Sequence, residues 1–154
     1  MTAPAYAQTA SITSDAAMAA MHAMLDYAKA DGSNPSMAVL DTEGNVVLLL
    51  QGDGAAPHNI GLAERKAYTA NMFKMPSIEW RDKTAAGQPD ADQRNQPKVI
   101  PLGGGYPVKV GDTVIGGVGV SGTRGGQEGD TAAAKAAAEA AAEHLRANAK
   151  TAQR

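Results

Sequence analysis

The chain has no cysteine, only one phenylalanine and one tryptophan, and no long apolar run. The missing thiol excludes disulfides, thiolate metal sites and a cysteine nucleophile. So few large rings leave little surface for base stacking. The 14 Lys and Arg and 16 Asp and Glu are scattered, with no basic stripe, so nucleic acid is not an expected partner. No segment approaches the ~18 consecutive apolar residues that suggest a membrane span. The three histidines, His22, His58 and His144, show no His-x-x-x-His spacing, so no catalytic zinc motif is present. Ser121 lacks a Gly-x-Ser-x-Gly context, which argues against a hydrolase nucleophile.

What the chain does have is glycine, 17 in all, and much alanine. Its 154 residues suit a flexible arm over 1–12 and a single domain over 13–150. Thr13, Ser14 and Asp15 offer helix caps, and Met18, Met21, Leu25 and Ala28 follow at helical spacing as the expected buried stripe. The runs 37–41 and 46–50 read as strands around Thr42-Glu43-Gly44-Asn45. The second is apolar throughout, which predicts cover on both of its faces. A helix is expected from Asn59 to about Phe73, then a polar excursion over 76–97 with one short helical turn. Asp130 is expected to cap an alanine-rich helix whose Lys135, Glu139, Glu143 and Arg146 form a solvent-facing stripe. Helix, two strands, helix, two strands, helix, with strands paired by short turns, predicts an α+β fold with an antiparallel sheet.

The most informative segment is 101–122. Gly103, Gly104 and Gly105 permit positive φ or a close approach, and Gly111-Asp112 suits a tight hairpin turn. Gly116, Gly117 and Gly119 weaken the following strand unless something must pass very near it. The three-glycine run could present successive N–H groups to an anion, or could simply turn the chain. It lacks the Gly-Lys-Ser/Thr of a nucleotide loop.

These segments resemble the GlcG/HbpS family, also found as the C-terminal part of PduO-type proteins. The resemblance rests on Met-Ala-Val-Leu-Asp-Thr-Glu-Gly-Asn-Val-Val (37–47), Gly-Asp-Gly-Ala (52–55) and Glu-Arg-Lys-Ala-Tyr-Thr-Ala (64–70), with Leu-Gly-Gly-Gly-Tyr-Pro-Val (102–108) and Val-Ile-Gly-Gly-Val-Gly-Val-Ser-Gly (114–122). It implies a profilin-like or PAS-like sandwich, a homo-oligomer such as an octamer, and binding of haem or a related tetrapyrrole. Family members accompany bacterial catabolic functions, so the alternative is an enzyme acting on a small organic acid near a subunit boundary. A third reading is a scaffold whose glycines only pack against another subunit.

The candidate haem ligands are His22, on the first helix, and His58, in a loop at a helix start; His144 reads as a surface residue. Lys66 and Thr69, one turn apart, are candidate ligand-binding residues with Gly103, Gly104, Gly105, Tyr106 and Ser121. The Lys66 ammonium could meet a propionate or substrate carboxylate, or it could snorkel at the helix border. Asp41 and Asp53 read as turn residues. Ala5-Tyr6-Ala7 looks like the end of a signal peptide with no apolar segment before it. The expected location is therefore cytoplasmic, the alternative being an exported protein trimmed before Gln8.

Overall fold

The computed structural model describes residues 9–152, so the cleavage-like Ala5-Tyr6-Ala7 lies outside the described residues. Helix α1 spans Ser14–Asp31 and opens on Thr13, whose hydroxyl accepts the Ala16 N–H at 3.2 Å. It closes on Gly32 at φ +72°, a left-handed cap that glycine adopts without strain. Strands β1 (Ser36–Asp41) and β2 (Val46–Leu50) form a hairpin, with Asp41 Oδ1 accepting the N–H groups of Glu43 and Asn45 in the turn. Helix α2 (Asn59–Phe73) is followed by α3 (Ser77–Lys83), a 3₁₀ turn (Ala91–Asn95), β3 (Gly105–Val110), β4 (Thr113–Ser121) and α4 (Gly126–Ala152).

The strands make one antiparallel sheet in the order β2-β1-β4-β3. Alternation along β1 sorts the two faces. Ala38 and Leu40 meet Ala63 and Ala67 of α2, while Met37 and Val39 join a larger core with α1 and α4. The result is three layers: α2, the sheet, and the α1–α4 pair. This is the expected α+β architecture.

Five expectations are corrected. The buried stripe of α1 is Ala16, Ala17, Ala20, Met24 and Ala28, whereas Met18 and Leu25 face outward. Helices approach closely through alanine, so the side facing α4 is the small-residue side and the longer chains are turned away. Strand β2 is an edge strand with Val46 and Leu49 exposed, not one covered on both faces. The segment 76–98 is more ordered than a loop: the lone Trp80 is fully buried, stacks on the lone Phe73 at 5.0 Å, and is flanked by Thr84, which accepts from Arg94 at 2.9 Å. Helix α4 begins at Gly126, so Asp130 sits inside it rather than at its cap. At the other end, Ile12 is a core residue and its N–H donates to Ile115 O at 2.9 Å, so chain 10–12 is docked.

Candidate functional site

Three glycines of β3 and β4, Gly105, Gly117 and Gly119, face the backbone of α2. A methyl group on Gly105, Gly117 or Gly119 would overlap the carbonyl oxygen of Lys66, Ala67 or Ala63 respectively. What passes close to the glycine surface is this protein's own helix. Gly104 has φ +123°, and a Cβ there would lie 2.5 Å from Val120 O, 2.8 Å from Lys66 Cδ and 2.9 Å from Asp130 Cβ. No other residue type combines that torsion with that crowding.

Beneath the glycine turn lies a buried ion pair. Lys66 is 2 % exposed, and its Nζ donates to Asp130 Oδ2 at 2.9 Å and to Val120 O at 3.2 Å. The other carboxylate oxygen of Asp130 accepts from Thr123 N (2.9 Å), Thr123 Oγ1 (2.7 Å) and Gly122 N (3.2 Å). One charge pair therefore ties α2, the end of β4 and α4 together. Its desolvation is tolerable because both charges carry several hydrogen bonds. Lys66 does not snorkel; the anion it meets is internal.

The glycine run is likewise engaged from within. Gly103 N–H donates to Gln127 Oε1 at 2.7 Å, and Gly105 N–H donates to Ser77 Oγ at 2.8 Å. Gly104 O accepts from Val120 N at 2.8 Å. These bonds correct the expectation of an anion nest, because the donors it would need point at protein groups. Thr69 Oγ1 accepts the buried Ile100 N–H at 2.9 Å and donates to Arg65 O at 2.8 Å. Ser121 Oγ is 3.4 Å from Asn59 Oδ1. The fold thus gathers Lys66 and the glycines around one polar knot. Tyr106 is separated from it, lining a groove of about 260 Å³ with Pro76, Lys109 and Arg146 on the α4 side. Sequence reading missed Asp130, Ser77 and Gln127 as partners of this knot, for they lie 64, 28 and 24 residues from the groups they hold.

The histidines stand elsewhere. His58 is exposed beside the start of α2. His144 is half-buried, with its ring nitrogen 2.9 Å from Asn148 Nδ2. His22 is exposed on α1, one turn from Met18 and from Leu25, with Met21 half-buried beside it. Leu25 and Lys29 continue this stripe into a groove of about 320 Å³ shared with Leu50, Gln51 and Asp53. At the end of α1, Asp31 accepts from the Ser33 hydroxyl (2.6 Å) and the Arg124 N–H (2.9 Å). These bonds, the Ser33 hydroxyl first, hold its carboxyl below the ordinary value. No group of three or more His, Cys, Asp or Glu side chains is placed to hold a metal ion among the described residues. Nor is any described helix long and apolar enough to cross a membrane.

Three layers, a glycine-seated helix and an apolar histidine-bearing flank define a small α+β domain of profilin-like build. The chain belongs to the HbpS-like family, described as haem degrading protein HbpS-like, which matches residues 12–139. Protein ORFY of Klebsiella pneumoniae superposes with a TM-score of 0.83 at 27% identity, over 92% of this chain and 97% of that one. HbpS superposes at 0.81 with 33% identity, over 90% and 97%. A crystal structure of a PduOC:heme complex gives 0.76 at 26% identity, over 84% and 94%. In sequence, an uncharacterized 15.0 kDa protein of the dhaT-dhaS intergenic region of Citrobacter freundii is 37% identical over 90 residues. That match takes in 55% of this chain and 61% of the relative, less than two thirds of its length.

Proposed function

We propose that the protein is a self-associating subunit that binds haem or a related tetrapyrrole on the outer flank of α1. The observation that carries this reading is the setting of His22, an exposed imidazole between exposed Met18 and Leu25. A porphyrin needs an axial donor, apolar surface for the macrocycle and a cation for its propionates. His22 supplies the first, Met18, Met21 and Leu25 the second, and Lys29, one turn beyond Leu25, the third. The residues therefore fit the group. Bound there, haem would supply an iron centre for ligand or redox chemistry. The protein's part would be to hold the ring against Met18, Met21 and Leu25 and to offer the His22 imidazole to the iron. His58 has no such apolar flank and is the weaker ligand. Membership of a family described as haem degrading, and likeness to a PduOC:heme complex, support the same reading.

Titration with haemin tests it. A Soret band should develop to saturation, shift and weaken in His22→Ala, and persist in His58→Ala. No saturable band, or a His22→Ala spectrum and affinity equal to wild type, would sink the assignment.

A further inference from the structure

The sheet has two edges, and they are built differently. A free strand edge offers unpaired N–H and C=O groups, and proteins protect such edges with proline, lysine, bulges or cover. Edge strand β3 carries Pro107, which has no N–H, an exposed Lys109, and a register shift between Val108 and Lys109. Edge strand β2, Val46–Leu50, also meets a register shift, which leaves Val47 without a partner on β1, but it is Val-Val-Leu-Leu-Leu, without charge or proline. Among the described residues its partner in the sheet is β1 alone.

Exposed apolar surface is gathered at the same edge. Among the described residues the exposed large hydrophobics are Met18, Leu25, Val46, Leu49 and Met72. Val46 and Leu49 belong to β2 itself. Leu25 shares a groove with Leu50, and Met18 lies two turns before Leu25 on the same flank. Met72 reaches the β1–β2 turn, its Cε 3.3 Å from where a Cβ on Gly44 would stand. The β3 side has no counterpart; charged Lys109, Glu139 and Arg146 line it instead.

We infer that β2 is the self-association edge, where two copies pair their β2 strands antiparallel about a two-fold axis and join their sheets. This rests on the reading of the protein as a homo-oligomer and says where its subunits meet. A second copy is the occupant because the edge is uncharged, so it meets itself without repulsion and without burying an unpaired ion. Antiparallel pairing is self-complementary, and its axis stands perpendicular to the sheet. Both α1 helices therefore remain on one face, and the Met18–Leu25 flanks are drawn toward the same junction. Val46 and Leu49 of each copy are covered on the other face.

Light scattering on the whole protein at micromolar concentration tests this. Wild type should be an assembly, and Leu49→Lys or Val46→Lys should lower its mass by half or more with an unchanged circular dichroism spectrum. Lys109→Leu, at the other edge, should leave the mass alone. The cysteine-free chain allows a second measurement: air-oxidised Leu49→Cys should run as a disulfide-linked dimer, and Lys109→Cys should not. A monomeric wild type overturns the inference together with the homo-oligomer reading. An assembled wild type whose mass survives both lysine variants, with no Leu49→Cys dimer, overturns the choice of edge alone. Because the junction draws in the Met18–Leu25 flank, haemin is titrated into Leu49→Lys as well as wild type; no uptake by either would remove the tetrapyrrole reading and leave the edge standing.

Discussion

The two faces of the sheet achieve close packing by opposite means. On the α2 face the strands surrender their side chains: Gly105, Gly117 and Gly119 let helix carbonyls rest on the sheet backbone. On the α1–α4 face the strands keep theirs, Met37, Val39, Val118 and Val120, and the helices present mostly alanine, with Met24 among them. Each face also has one charged tie to the region around the start of α4. On the α2 side it is Lys66–Asp130, buried; on the α1 side it is Asp31 accepting from Arg124, at the surface. Contact between backbones leaves no atom that can rotate aside, whereas contact between side chains can adjust. The α2 face should therefore be the brittle one.

The largest expected effect is at Gly119. Gly119→Ala should destabilise by more than about 4 kcal/mol, because the new methyl meets the Ala63 carbonyl and a helix must shift to admit it. A urea midpoint near that of wild type would refute the close contact. Next is Lys66→Met, which strands the Asp130 carboxylate and should cost about 3–5 kcal/mol. Adding Asp130→Asn should return part of that loss, and strict additivity of the two would show that they are not coupled. On the other face, Ala137→Leu overpacks a fully buried alanine and should cost about 1–3 kcal/mol. If it proves worse than Gly119→Ala, the contrast between the faces is wrong. Gly61, on α2 with open space around its Cβ position, should reverse the sign: Gly61→Ala is expected to stabilise by about 0.5–1 kcal/mol.

The smallest effect is electrostatic. Asp31 is held below its ordinary value of 3.8 by the Ser33 hydroxyl and the Arg124 N–H. Its contribution is present above that ordinary value and is lost as pH falls through the depressed native one. Stability measured against pH should lose this part of its acid limb in Asp31→Asn. An identical acid limb in both proteins would deny Asp31 the role.

Local signals read well wherever the local physics decides. The Thr13 cap, the turn at Gly111-Asp112 and the span of α2 follow from capping, turn and periodic patterns within a few residues of each element. The pattern on α1 misled because hydrophobic size was taken as a guide to burial. In this helix Ala16, Ala17, Ala20 and Ala28 are buried and the methionine and leucine at 18 and 25 are not. The Val46–Leu50 run misled for a related reason: an uninterrupted apolar strand signals cover without saying whether this chain supplies it. At the site, the residue types singled out Lys66 and Gly103–Gly105, and the fold engages them in internal bonds. Their partners were not legible, since Asp130, Ser77 and Gln127 carry no local mark that they will converge on α2 and the glycine turn.

The strand order sets a schedule for folding. Central strand β1 pairs on one side with β2, its neighbour in the chain, and on the other with β4, some 80 residues later, as in Ser36 opposite Ser121. During synthesis the first half can form α1, the β1–β2 hairpin and α2, but α2 has no glycine surface to lie on until β3 and β4 emerge. Lys66 waits longer still for Asp130. Such late, distant pairing slows folding and prolongs exposure of unfinished strands. For much of that interval the growing chain displays both sides of its β1–β2 hairpin, which is when a chaperone would have most to hold.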